Sequence, residues 1–335
     1  MMKRLNDVNS NEDEIMKRRP FVKASLPLAT AGYWSQVESA LAGSENRPIP
    51  RRPYNDEIDL SIIGFGAIVL MGQPQEDANA EVARAIGRGV NYFDVAPSYG
   101  KGEAERKLGP ALKPWRDDVF LACKTGRRDA VGAREELENS LKTLQTDHFD
   151  LYQLHNMHKP DDIEKAFAPG GVMELLVKAR EEGKVRHLGF SAHDEDVALE
   201  LLDRFEWDSV LFPVNYVCFA NSGFGPRLLA KAKEKKVARL ALKALANTPW
   251  DSKEQKKASG YDKCWYRPID DLEMVRSAFY FALSEDVTSA IPPGAEQVYR
   301  MAENIAADFN PLSAEERTTL LASAAGLSPL FPRPA

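Results

Sequence analysis

From Leu60 onward, short apolar runs alternate with amphipathic stretches that have helical spacing. Runs such as "VFLAC" and "VARLAL" are nearly continuous in apolar residues, which is typical of parallel strands covered on both faces. Eight strand–helix units of this kind predict an α/β fold, the closed (β/α)8 TIM barrel. A doubly wound open sheet is the alternative, but the glycines at 64, 66 and 72 have the wrong spacing for a dinucleotide fingerprint.

The pattern also divides the chain. Residues 58–330 are predicted to form the barrel as a single domain, and residues 46–57, with three prolines, are predicted to be an extended linker. Residues 1–45 are predicted to be a signal-like or disordered N-terminal extension. Within them, "KRRPFVKAS" is similar to the twin-arginine export signal of bacteria. We therefore expect a periplasmic protein, with a cytoplasmic protein carrying a disordered basic patch as the alternative.

The charge distribution, the hydrophobic runs and the cysteine positions exclude several classes of function. The net charge of −6 is spread over interspersed acids and bases, which argues against nucleic-acid binding. No apolar run approaches the roughly 20 residues that span a bilayer. Cys123, Cys218 and Cys264 lie far apart, so neither a disulfide framework nor a zinc site is indicated. The oligomeric state is left open by the sequence.

Four polar residues follow three consecutive predicted strands. Asp94 ends the second strand and Tyr99 lies in the next loop, while Lys124 and His155 end the third and fourth strands. Each could be an ordinary solvated or capping residue when taken singly. In a (β/α)8 barrel the chemistry lies at the carboxyl ends of the strands, so we expect these four side chains to meet at one rim.

The segments around these residues resemble the aldo-keto reductases. The resemblance covers roughly residues 58–310 and rests on "NYFDVAPSYGKGEAERKLGPAL", "DLYQLH", "VRHLGFS" and "IPPGAEQVYRMAEN". It implies a catalytic tetrad of Asp94, Tyr99, Lys124 and His155. A nicotinamide would deliver hydride to a carbonyl carbon, and Tyr99 would protonate the oxygen. Lys124 would make that proton easier to release, Asp94 would keep Lys124 charged, and His155 would orient the carbonyl.

The expected function is therefore the NADPH-dependent reduction of an aldehyde, a ketone or a sugar-derived carbonyl. An NADP-binding regulatory or sensing protein with little turnover is the alternative. A third interpretation, a barrel hydrolase or aldolase that uses Lys124 as a Schiff-base lysine, needs a desolvated amine, and Asp94 works against it. The "HNMH" stretch at 155–158 has too weak a spacing to predict a metal site.

The resemblance also implies a cofactor site, with NADP favoured over NAD because Arg300 falls where the family often binds the 2′-phosphate. The implied cofactor-binding residues are Gly66, Ser191, Asn215, Lys243, Gly294, Arg300, Glu303 and Asn304. The chain departs from the family in three places. Ala192 replaces the asparagine after strand five, strand six lacks its glutamine, and Leu242 replaces the common stacking tyrosine.

The stretch from about Ala244 to Pro268 is long for a loop in a compact domain, and long loops at a barrel rim are usually functional lids or disordered. It carries several aromatic residues, which we expect to cover the substrate. The predicted substrate-pocket residues are Trp250, Trp265 and Tyr266 from this loop, and Trp115, Phe219 and Phe224 from elsewhere.

Overall fold

A short hairpin precedes the barrel in the computed structural model, which describes residues 47–332. Strand β1 (Arg51–Pro53) pairs antiparallel with β2 (Asp59–Ser61). The side-chain oxygen of Asn55 accepts hydrogen bonds from the backbone nitrogens of Glu57 and Ile58, and this Asx turn reverses the chain. The prediction of an extended linker over 46–57 is corrected here, because this turn folds the segment into a hairpin. The signal-like segment predicted over residues 1–45 lies outside the described residues.

Eight parallel strands form the barrel. They are β3 (Phe65–Gly66), β4 (Tyr92–Asp94), β5 (Phe120–Thr125), β6 (Phe149–Met157), β7 (Val185–Ala192), β8 (Ser209–Pro213), β9 (Ala238–Leu242) and β12 (Ser289–Ile291). Each pairs with the next, and a parallel bridge between Ile63 and Ala290 joins the first strand to the last. The predicted (β/α)8 barrel is confirmed. The predicted first strand "LSIIGFG" is divided between β2 and β3.

Helices surround the barrel in the order that the amphipathic stretches predict. They are α1 (Gln75–Gly87), α2 (Glu103–Leu112), α3 (Ala130–Leu144), α4 (Pro160–Phe167), α5 (Val172–Glu181), α6 (Glu195–Arg204), α7 (Tyr216–Ser222), α8 (Pro226–Glu234), α9 (Lys253–Ser259), α10 (Leu272–Ser284), α11 (Glu296–Ala307) and α12 (Ala314–Ser323). In this part of the chain, no helix combines the length and the apolar character needed to cross a membrane.

The long stretch after β9 is folded rather than irregular. Strands β10 (Ala246–Pro249) and β11 (Tyr266–Pro268) pair antiparallel, and α9 lies between them. Ser252 caps α9, since its side chain accepts a hydrogen bond from the backbone nitrogen of Gln255 at 3.0 Å. The helix buries none of its residues, so it stands out from the barrel rim.

Alternate residues of each strand point into the barrel. Apolar side chains fill its lower part, in a cluster that includes Tyr54, Tyr92, Phe120, Ala122, Leu151, Leu211, Leu240 and Ile291. Asp94, Lys124 and His155 follow members of this cluster by two or four residues along their own strands, so they face the same interior. Because side chains alternate along each strand, the three polar side chains face the barrel interior and lie at the carboxyl end of the apolar core.

Candidate active site

A cavity of about 1070 Å³ opens at the carboxyl end of the barrel. Tyr99, Lys124 and His155 line it together. A smaller inner cavity of about 80 Å³ is lined by Asp94 and again by Tyr99. The structure thus brings the four residues predicted from the strand ends to one place, although they span 62 positions of the sequence.

Asp94 and Lys124 form a buried ion pair beneath the cavity. Their exposed fractions are 2% and 1%. The ammonium donates hydrogen bonds to Asp94 Oδ1 and to the backbone oxygen of Val95, the latter at 3.1 Å. Burial alone would lower the pKa of Lys124, but the Asp94 carboxylate outweighs it, and the pKa of Lys124 is raised. Lys124 is therefore a fixed cation at neutral pH.

The half-buried ring of Tyr99 lies between this cation and an imidazole. Lys124 Nζ is 5.2 Å from the centroid of the Tyr99 ring. The His155 ring stands edge-on to the same ring, with the centroids 5.8 Å apart. Burial raises the pKa of Tyr99 and Lys124 opposes that effect, so the lowering expected from Lys124 does not prevail in this structure. The phenol is protonated at neutral pH and has a proton to give.

His155 is neutral. Burial, and after it the charge of Lys124, lower the pKa of His155 from 6.5 to about 3. A neutral imidazole can donate one hydrogen bond into the cavity without carrying a charge. The neighbouring "HNMH" histidine, His158, is exposed. Within residues 47–332, no group of three or more histidine, cysteine or acidic side chains could hold a metal ion.

Asn156, near the end of β6, links that strand to the end of β7 and to the residue that follows it. Its backbone is left-handed, with φ of 56°, and its backbone nitrogen donates to Ser191 Oγ at 2.8 Å. Asn156 Oδ1 lies 2.6 Å from His193 Nδ1. Ser191, predicted to bind the cofactor, lines the main cavity and retains its hydroxyl proton for a ligand.

Asn215 was also predicted to bind the cofactor, but its side-chain oxygen and nitrogen are already hydrogen-bonded to nearby backbone groups. Its side-chain oxygen caps α7 by accepting from the nitrogens of Val217 and Cys218. Its amide nitrogen donates to the oxygens of Lys243 and Ala246 at 3.0 and 2.6 Å. Asn215 therefore fixes the backbone of Lys243, which is left-handed with φ of 65°. Lys243 itself lines both cavities.

The two glycines predicted to bind the cofactor, Gly66 and Gly294, line the inner cavity. A Cβ added at Gly294 would lie 2.2 Å from Cγ2 of Ile68. A Cβ added at Gly66 would lie 3.0 Å from Cγ2 of Ile291. Position 294 therefore requires glycine, and its bare backbone is open to close approach by a ligand.

Arg300 lines a separate cavity of about 250 Å³ between α1 and α11. Its Nη2 lies 2.8 Å from carboxylate oxygens of both Glu81 and Glu296. The side chain is half exposed. A cation is therefore available at the surface, and two carboxylates hold it in place.

Glu303 and Asn304 face α1 instead of this cavity. Glu303 is fully buried and is paired with Arg84, and Arg88 Nη1 lies 3.8 Å from it. Asn304 Oδ1 accepts from Arg88 at 2.5 Å. Neither residue lines the cavities of the site, and a contact with a cofactor would require these interactions to open.

The predicted substrate aromatics fall into two groups. Trp265, which is 53% exposed, lines the main cavity, and both it and Tyr266 line the inner cavity. Trp250 supports them, because its Nε1 donates to the oxygen of Cys264 at 3.0 Å. Phe219 packs edge-on against Phe281 in the interior.

Trp115, Phe219 and Phe224, which were predicted to line the substrate pocket, line neither the main nor the inner cavity. Trp115 lies in the 3₁₀ turn that precedes β5, at the opposite end of the barrel, and is 37% exposed. Phe224 is buried and stacks on Phe331, with the ring centroids 5.2 Å apart. Phe331 also stacks on His193 and lines the main cavity. The sequence analysis missed Phe331, since it lies beyond the predicted end of the barrel.

Known proteins share this sequence pattern. The sequence model of the Aldo/keto reductase family matches residues 62–323. The chain is 27% identical over 293 residues to "Uncharacterized oxidoreductase YqkF" of Bacillus subtilis (strain 168), covering 79% of this chain and 93% of that protein. It is 28% identical over 283 residues to L-galactose dehydrogenase of Arabidopsis thaliana, covering 76% and 86% respectively.

Solved structures share the fold. Aldo-keto reductase AKR11C1 from Bacillus halodurans, in its holo form, superposes with a TM-score of 0.64 at 24% identity, covering 85% of this chain and all of that one. An aldo-keto reductase from Klebsiella pneumoniae in complex with NADPH gives a TM-score of 0.59 at 22% identity, covering 83% and 94%.

Proposed function

Because the chain belongs to the aldo/keto reductase family, we propose that it is an NADPH-dependent oxidoreductase that reduces the carbonyl group of a small molecule. The observation that carries the proposal is the position of Tyr99, a protonated phenol between the Lys124 ammonium and the neutral ring of His155. Together these groups can bind a carbonyl oxygen by hydrogen bonds and donate a proton to it.

The residues that line the cavity have different roles in the reduction of the carbonyl. A nicotinamide bound in this cavity would supply the hydride that reduces the carbonyl carbon. Tyr99 gives its proton to the oxygen on which charge builds up, and His155 donates a hydrogen bond that orients that oxygen. Lys124 stabilises the phenolate that remains, at a distance where a buried charge acts strongly.

Asp94 acts through Lys124 and has no direct part in the proton transfer. Its carboxylate accepts a hydrogen bond from the ammonium and keeps it charged in a buried position. Without that partner, burial would favour the neutral amine. The ion pair therefore holds a positive charge in one place while the phenol loses its proton.

The described residues fit a nicotinamide dinucleotide phosphate. Gly294 offers bare backbone in the inner cavity, since a side chain there would collide with Ile68. Ser191 offers a hydroxyl in the main cavity, and Lys243 offers an amine. Arg300 offers a surface guanidinium suited to a 2′-phosphate, which favours NADP over NAD. The Klebsiella relative with bound NADPH supports the same choice.

The size and lining of the cavity support a small-molecule substrate. About 1070 Å³ leaves room for a substrate beside the nicotinamide, and Trp265 and Phe331 supply aromatic walls. We propose an aldehyde, a ketone or a sugar-derived carbonyl. The name of the Arabidopsis relative, L-galactose dehydrogenase, supports the inclusion of sugars.

The test is NADPH consumption by the full-length chain with a panel of aldehydes, ketones and keto-sugars, beside the Tyr99→Phe variant. Turnover by the wild type that the variant lacks supports the proposal. Tight NADPH binding without turnover on any carbonyl would contradict it and favour a cofactor-sensing protein.

A further inference from the structure

Three lysines line the main cavity, and two of them, Lys124 and Lys243, are in opposite electrostatic settings. Lys124 is held by the Asp94 carboxylate and stays charged. Lys243 lines both the main and the inner cavity, and in the described part of the chain its ammonium has no ion-pair partner. Lys124 itself disfavours a second cation nearby. Of these two, Lys243 is therefore the amine that can lose its charge. Burial lowers the pKa of the third lysine, Lys263, as well, but its ammonium donates a hydrogen bond to the oxygen of Val69.

The position of Lys243 is fixed from its backbone. Its φ of 65° is a conformation that residues other than glycine rarely adopt. Asn215 Nδ2 donates to its carbonyl oxygen at 3.0 Å, and so does the backbone nitrogen of Ala246. The side chain then ends against two neighbouring aromatic rings, whose centroids are 5.3 Å apart and whose planes are nearly perpendicular. Nζ is 5.5 Å from the ring centroid of Trp265 and 5.0 Å from that of Tyr266.

The surroundings of Nζ make the free amine accessible near pH 8. The pKa of Lys243 is lowered from 10.5 to about 8, mainly by burial and in smaller part by the charge of Lys124, while Cys264 and Asp94 oppose the shift. The adjacent Cys264 brings little negative charge, because burial raises its pKa to about 11. The two ring faces partly offset the cost of the charged form. At pH 8 about half of such an amine is neutral, against well under ~1% for an exposed lysine.

We propose that Lys243 is a covalent capture site for aldehydes, where the amine forms a reversible imine with an aldehyde that enters the cavity. The amine lone pair adds to the carbonyl carbon and the oxygen takes up a proton. The resulting carbinolamine loses water, which carries away the oxygen and both amine protons, so no oxidant or reductant is consumed. Aromatic aldehydes suit the site because Trp265 and Tyr266 flank Nζ. This activity goes beyond carbonyl reduction and needs no nicotinamide.

The experiment traps the imine on the full-length chain without added nucleotide. The protein is incubated with benzaldehyde and sodium cyanoborohydride at pH 8, and the benzylated lysines are located by peptide mass spectrometry. Lys243 should be labelled at least about 10-fold faster than Lys257, an exposed lysine on α9. Equal labelling of the two positions would overturn the proposal.

Two variants and a pH series test whether the labelling depends on the amine of Lys243. Lys243→Arg keeps a cation beside the two rings but forms no stable imine, so it should abolish the fast phase of labelling. Lys263→Arg changes the other half-buried lysine of the cavity, which donates to the oxygen of Val69 at 2.7 Å, and should preserve that phase. Labelling of Lys243 should reach half its maximal rate near pH 8. A rate that climbs to pH 10 in parallel with Lys257 would overturn the proposal.

Because no turnover is measured, failure of this experiment leaves the proposed reductase untouched. Conversely, a protein that reduces no carbonyl could still capture benzaldehyde at Lys243.

Discussion

Arg128 Nη2 donates a hydrogen bond to the backbone oxygen of His155 at 2.8 Å. The same guanidinium pairs through Nε with Asp162 at 3.2 Å, and through Nη1 it donates to the backbone oxygens of Gly126 and Arg127. It therefore fastens the loop after β5 to the end of β6 and to the first turn of α4. The His155 ring is held against Tyr99 by this network as well as by its own strand.

We expect Arg128→Lys to lower kcat by about 10-fold while KM changes little, because a single ammonium cannot replace the planar set of donors that positions His155. Steady-state kinetics on the best carbonyl of the panel give both constants. Arg127→Lys is the matched control, since Arg127 is exposed and pairs with Glu136 away from His155. Equal kcat values for the Arg128 variant and the wild type would show that the hydrogen bond does not position the ring.

Removing only one charge of the buried Asp94–Lys124 ion pair should destabilise the folded protein. Asp94→Asn leaves the Lys124 ammonium buried without its counter-charge, which should lower the free energy of unfolding by about 3 kcal/mol. Urea unfolding of the wild type, Asp94→Asn, and the double variant Asp94→Asn with Lys124→Met measures this. The double variant should recover part of the loss, because no buried charge then remains. A change below about 0.5 kcal/mol in the single variant would mean that the pair is solvated.

Stability should depend on pH through His193. Burial, and next the charge of Lys243, lower the pKa of His193 from 6.5 to about 3. Between these pH values the unfolded chain binds a proton that the folded chain does not. The contribution is therefore complete above about pH 6.5 and is lost as pH falls toward 3.

His193→Gln removes that titration while keeping a side-chain donor for Asn156. The slope of the unfolding free energy against pH, measured by urea unfolding between pH 4 and 6, should become shallower by about 1 kcal/mol per pH unit. The difference in slope between the two proteins should vanish above pH 7. Parallel curves through the acid range would show that His193 is protonated in the folded protein.

Cofactor choice should respond to the carboxylates that hold Arg300. Glu296→Gln removes one negative charge 2.8 Å from the guanidinium, so the affinity for NADPH should rise by several-fold while that for NADH stays the same. Arg300→Ala should weaken NADPH binding by about 10-fold and again spare NADH. Fluorescence titration with the two nucleotides provides the measurement. A loss of NADPH and NADH affinity in equal proportion would place Arg300 away from the 2′-phosphate.

The barrel and the meeting of the four polar residues follow from strand period and order. Asp94, Lys124 and His155 lie at or near the carboxyl ends of three strands that pair side by side, so one rule about parallel strands places them together. The same rule places Trp115 at the far end, because it precedes a strand rather than following one. Trp115 was predicted to line the pocket because it is aromatic, and its position before the strand was not considered.

Other features depend on contacts that no local pattern encodes. Arg84 and Arg88 lie more than 200 residues before Glu303 and Asn304, so the sequence gives no sign that these side chains are already paired. Phe331 reaches the cavity because Asn221 donates to the oxygens of Ala324 and Leu327 and holds the C-terminal segment on the rim. The hairpin at Asn55 is different, since "YNDEI" is a recognisable turn signal within the segment interpreted as a linker.

The most direct test compares NADPH binding with NADPH oxidation in the wild type and Tyr99→Phe. Both proteins are titrated with NADPH by fluorescence, and both are then mixed with the carbonyl panel while absorbance at the nicotinamide band is followed. We predict equal binding, together with oxidation that Tyr99→Phe slows by about 10³-fold, the scale of a lost proton donor. Equal oxidation rates in the two proteins would contradict the role of Tyr99, and binding without oxidation in both would contradict the proposed reductase.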